Sequence, residues 1–82
     1  MAEQSDEIRT LEDIEIGDSA VVIGFTAIAP ARRFLEMGFV PGTTVKALRR
    51  APLGDPIEFA VMGGRIAMRA TDASMILVAE AP

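Results

Sequence analysis

A small all-β barrel of about five strands with one short α-helix is the fold that this sequence predicts. Three observations predict it. Short runs of alternating apolar residues recur along the chain, too brief for helices of ordinary length. Turn cassettes rich in glycine, proline and aspartate separate them, among them Met37-Gly38-Phe39-Val40-Pro41-Gly42 and Ala51-Pro52-Leu53-Gly54-Asp55-Pro56. And the chain is only 82 residues long, so a single modest core must stabilise it, and wrapping the sheet on itself is the economical way to protect strand edges.

Residues 1–9 are polar, charged and without period, which predicts an acidic disordered tail ahead of one folded domain at 10–82. Thr10 stands where it would cap a single helical turn, Leu11-Glu12-Asp13-Ile14, and Gly17-Asp18 turns the chain into a first strand at 19–25. Alternation there puts Val21, Ile23 and Phe25 on the inner face and Ala20, Val22 and Gly24 on the other. Pro30 suits a first helical position and Gly38 a helix end, with Ala31, Phe34, Leu35 and Met37 at three- and four-residue spacings between them. So short a helix is unstable alone, so it must dock on the sheet.

After the Pro41-Gly42 turn, residues 44–50 alternate, with Val45 and Ala47 opposite Thr44, Lys46 and Arg50. Ile57, Phe59 and Val61 alternate with Glu58, Ala60 and Met62, and Gly63-Gly64 reads as the two-residue loop of a hairpin into 65–69. Thr71-Asp72-Ala73-Ser74 reads as a capped turn of helix, and 75–79 as a last strand with Ile76 and Val78 inward. The expected core is Val21, Ile23, Phe25, Phe34, Val45, Ala47, Ile57, Phe59, Val61, Ile66, Met68, Ile76 and Val78.

Composition narrows the chemistry. Cysteine and histidine are both absent, which removes disulfides, thiolate metal sites and the commonest general base. Glu36, Asp55, Glu58 and Asp72 are spread along the folded part without an imidazole or thiolate beside them, Asp55 reads as bonding its own turn, and the methionines read as core filler, so no metal, cofactor or catalytic residue is expected. The net charge of −4 is uneven: acids crowd the first sixteen residues, whereas Arg32, Arg33, Lys46, Arg49 and Arg50 face only Glu36. The acidic start is no secretory leader, and the apolar stretch 20–31 is broken by Gly24, Thr26 and Pro30, so a cytoplasmic protein without direct membrane insertion is expected. Nucleic acid is not the expected ligand, because no Trp or Tyr offers a stacking surface and the overall charge is negative.

In their order and spacing these residues resemble the FeoA family, from about Thr10 to Val78. The resemblance is carried by Gly17 before the first strand, Arg32-Arg33-Phe34-Leu35-Glu36-Met37-Gly38-Phe39, Pro41-Gly42, the loop 51–57, Gly63-Gly64, and Ile66-Ala67-Met68-Arg69 followed by Asp72-Ala73. It implies an SH3-like barrel, shared with the C-terminal module of iron-dependent repressors. It also implies a non-enzymatic accessory or regulatory protein of ferrous iron uptake, whose partner is the cytosolic GTPase domain of the FeoB membrane transporter. The alternatives are a stand-alone SH3-like interaction module related to that repressor domain, or a nucleic-acid-binding small barrel.

The residues nominated for partner binding are Arg32, Arg33, Glu36 and Met37 on the helix and Arg49, Arg50, Pro52 and Leu53 after the next strand. Leucine on a rigid loop beside two arginines is the combination an interface anchor and its rim would use, though isolated exposed apolar residues are also common. Charged residues in a short helix are more often simply its solvated face. One of the arginines could also reach the phosphates of a partner GTPase. Homo-oligomers remain open, through exposed Leu48, Leu53 and Leu77 or a free strand edge.

Overall fold

A computed structural model describes residues 8–81. Six strands form one antiparallel sheet: β1 (Arg9–Thr10), β2 (Ser19–Phe25), β3 (Thr44–Arg50), β4 (Ile57–Val61), β5 (Gly64–Met68) and β6 (Ile76–Glu80), in the order β1-β6-β2-β3-β4-β5. Helix α1 (Ile28–Glu36) joins β2 to β3, α2 (Ala70–Ala73) joins β5 to β6, and a 3₁₀ turn, Leu11–Asp13, follows β1. The strand beyond the five expected is β1, whose Arg9 pairs with Val78, so pairing begins one residue ahead of the expected boundary at Thr10. Residues 1–7 of the expected acidic tail lie outside the described residues.

The sheet curls around a core of fifteen buried apolar residues, and no polar or charged residue is buried among the described residues. Ten of those fifteen come from the strands, where Val45, Ala47, Ile57, Phe59, Val61, Met68, Ile76 and Val78 point inward as their alternation predicts. β2 departs from it. Ala20 and Val22 are buried, whereas Val21 is half-buried and Ile23 is 42% exposed, so the expected inner face of that strand was the wrong one. The cause is a bulge in the β2–β6 pairing between Val22 and Gly24, where Ile23 is the extra residue. A bulge shifts the period by one, so Phe25 returns inward and stacks on Phe34 with centroids 5.9 Å apart.

Three further buried side chains, Leu11, Ile14 and Phe39, lie outside any regular period, and Ala73 comes from α2. Phe39 is fixed by the end of α1. Gly38 takes φ +106° and donates to the Leu35 carbonyl at 3.0 Å, and Phe39 donates to the Phe34 carbonyl at 3.0 Å, closing the helix with a Schellman motif whose flanking residues, Phe34 and Phe39, are both buried in the core. A Cβ on Gly38 would meet Met62 Cγ at 3.1 Å, so the helix end and the β4–β5 turn approach as closely as only glycine permits. At the other end α1 starts two residues earlier than expected, with Pro30 third in the helix rather than first. The third position also lacks an intrahelical acceptor for its N–H, so proline removes no bond there. Leu35, one of the apolar residues at helical spacing, is 41% exposed.

The β4–β5 loop is Met62-Gly63, not Gly63-Gly64: φ is +52° and +80° at these two residues, and Gly64 already pairs with Val61. Two consecutive positive φ values make this a primed turn, whose twist suits a hairpin. Closure of the barrel also differs from expectation. Among the described residues no strand lies hydrogen-bonded on the outer side of β5, and past the Met68 end of that strand α2 packs against the 3₁₀ turn.

Candidate partner-docking surface

The nominated residues occupy two ends of β3 and are tied together through α2. Arg33, on α1, donates to Asp72 of α2 at 3.1 Å, and its guanidinium lies 5.0 Å from the centroid of the Phe34 ring. Exposed as the pair is, it contributes little stability, but it orients Arg33 along the protein. Arg32 and Glu36 are exposed on the same helix and have no salt bridge among the described residues. Met37 is half-buried and packs on the core, so it supports the helix end more than it presents a surface.

At the far end of β3 a second bulge, between Ala47 and Arg49, makes Leu48 the extra residue and pairs Arg50 with buried Ile57. Alternation alone would put Arg50 on the face of Lys46; the bulge moves it to the inner face at the rim of the barrel. Its guanidinium there donates to the Glu12 carbonyl at 2.8 Å and the Gly54 carbonyl at 3.1 Å. Arg50 is therefore a clamp between the loop 51–56 and the 3₁₀ turn, with two of its donors committed within the protein. Asp55 acts in the same way. It does not bond its own turn as the sequence suggests; its Oδ1 accepts from the Ala70 N–H at 2.6 Å and caps α2, whose expected cap was Thr71.

The loop these contacts hold carries Pro52 and Leu53, both exposed, and Leu53 is 97% accessible. Leu48 and Leu77 are half-buried, so of the three leucines considered for self-association only Leu53 stands free in solvent. Ile28, at the start of α1, is 93% exposed, a feature missed at the sequence level because a lone isoleucine before a helix carries no periodic signal.

Between the two ends runs a surface that sequence reasoning did not single out. The outer faces of β3, β4 and β5 form a groove of about 540 Å³ lined by Thr44, Lys46, Leu48, Ala60, Met62 and Arg65 among others. A smaller hollow of about 130 Å³ follows it, at Arg49, Ala51, Pro56, Glu58 and Ala67. Cross-strand register explains both: Lys46, Ala60 and Arg65 form one row, a small side chain between two cations, and Arg49, Glu58 and Ala67 form the next, with the acid on the middle strand.

Among the described residues no group of three or more carboxylates converges on a point where a metal ion could be held, and no helix is long and apolar enough to cross a membrane. Rigid loop, exposed leucine and charged groove together mark the outer surface of a small SH3-like barrel.

Comparison with known proteins makes this specific. The FeoA domain family model matches residues 9–80, and the chain belongs to that family. It is 38% identical over 69 residues, 83% of its own length, to an Fe(2+) transport protein A/Fe(2+) transporter FeoB fusion protein of Porphyromonas gingivalis, of which it spans only 8%. The FeoA protein of Chlorobium tepidum superposes with a TM-score of 0.80 at 38% identity, covering 89% of this chain and 70% of that one. A manganese-dependent transcriptional repressor shares the fold, at 20% identity and a TM-score of 0.80, over 93% of this chain and 43% of the repressor.

Proposed function

We propose that this chain is a non-enzymatic accessory domain of ferrous iron uptake that binds the cytosolic GTPase region of a FeoB-type transporter. The observation that supports this reading is the Porphyromonas gingivalis relative, in which Fe(2+) transport protein A and the transporter FeoB are one polypeptide. Covalent linkage holds two domains at an effective concentration in the millimolar range, which is useful to a pair that works in contact.

Leu53 is the anchor in this reading and Arg49 its charged rim, because the loop between them is already ordered by Arg50 and Asp55 and loses little freedom on binding. Arg32 and Glu36 border the contact from α1, and Arg33 and Arg50 act by holding their neighbours in place.

The test is calorimetric titration of the purified domain against the soluble GTPase region of the FeoB-type transporter from the same organism. Saturable binding is expected, weakened about tenfold, or about 1.4 kcal/mol, by Leu53→Asp. No heat at concentrations up to about 100 μM overturns the proposal.

A further inference from the structure

We propose that the open edge of β5, with the charged groove beside it, receives an extended acidic segment of the partner protein as an additional strand. This deepens the reading above and rests on it.

The backbone supplies the first part of the argument. Among the described residues β5 has one hydrogen-bonded neighbour, β4. Val61 and Gly64 flank a two-residue loop, and residues in that position exchange hydrogen bonds. Alternation then turns Ile66 and Met68 toward β4, and turns the N–H and C=O groups of Arg65 and Ala67 outward. No backbone group elsewhere in the described residues bonds to either. Edges are normally blunted by brevity, proline or a bulge. β1, at the opposite edge, is two residues long, whereas β5 has five, contains no proline and pairs with β4 in unbroken register. An incoming strand would find two outward donor–acceptor pairs two residues apart, the spacing a strand requires.

Charge selects the occupant. At this edge the outer face carries Arg65 on β5, and Arg69 continues the line past Met68, while Lys46 and Arg49 stand two strands in on β3 with Glu58 on β4 between. A strand laid along β5 would set its outward side chains level with Arg65 and Ala67, with Arg69 just beyond, where carboxylates are favoured. A second copy of this chain is the poorer fit. Pairing β5 with β5 would crowd two copies of Arg65 and Arg69 along a ribbon that contains no acid.

The experiment follows amide exchange in the isotope-labelled domain, free and bound to the transporter's GTPase region. Slowing of the Arg65 and Ala67 amides by at least about tenfold in the complex is expected, with the Gly64 to Met68 resonances shifting most. Ala67→Pro removes an outward N–H without touching a bond to β4, so binding should fall about tenfold while the thermal midpoint of the free domain stays put. Should that variant misfold, the pair Arg65→Glu with Arg69→Glu decides in its place, by an equal loss of affinity. A complex in which these two amides exchange at their free rates overturns the inference and leaves the proposed function standing. Absence of any complex overturns both. Protection of the same amides in the domain alone, with a dimeric sedimentation coefficient, replaces the acidic segment by a second copy and overturns the choice of occupant.

Discussion

β2 and β3 are built to the same plan and finish in opposite ways. Each is seven residues long, each is bulged at its fifth residue, and each thereby swings its last side chain across to the inner face. In β2 that residue is Phe25, which stacks on Phe34 beside the core. In β3 it is Arg50, which meets two carbonyl oxygens at the rim. One backbone device therefore serves stability in the first strand and loop geometry in the second. The side chain at the strand end decides which.

Substitution at the two ends separates these roles. Phe25→Ala should have the largest effect, a loss of about 2–3 kcal/mol on urea unfolding, because it removes apolar contact and a ring pair from a domain with little stability to spare. A loss under about 1 kcal/mol would mean the β2 bulge serves something other than packing. Arg50→Met should be milder globally, about 1 kcal/mol, since two hydrogen bonds to exposed backbone are exchanged for bonds to water. Its signature is local: faster amide exchange at Ala51 and Gly54 with the core amides unchanged. Uniform acceleration throughout the molecule would erase the distinction between the two strands.

The smallest effect sharpens the same contrast on the α2 side. Asp55→Ala, which uncaps α2, should cost about 1 kcal/mol, and Arg33→Ala, which breaks an exposed ion pair on that helix, less than about 0.5 kcal/mol. Thermal melts of the two variants side by side check this ordering.

Most of the architecture was readable from residue order because strand alternation and turn chemistry are local. The limits of β3, the inward residues of β4 and the position of the last strand follow from neighbours within a few residues. A bulge is a property of a pairing between strands far apart in sequence, so nothing within 19–25 or 44–50 announces it, and Val21, Ile23 and Arg50 were assigned to the wrong faces for that reason. Leu11, Ile14 and Phe39 are buried singly between turn residues, where there is no period to follow. The candidate surface was legible only in part. Leu53 and Arg49 could be picked out from the loop composition, whereas the bonds from Asp55 to Ala70 and from Arg50 to Glu12 join segments that only the folded chain brings together. The groove was invisible for the same reason, since Lys46, Ala60 and Arg65 form a row only when three strands are in register.

The short ribbon of β1 against β6 has a consequence for how such a unit can be joined to others. Arg9 lies opposite Val78 and Thr10 opposite Leu77. Incoming and outgoing polypeptide thus share a single doorway, and a tether fastened on either side departs from the same corner. Grafted into a surface loop of a larger host, the barrel would ask the host to part its own backbone by only about 5 Å, one interstrand spacing.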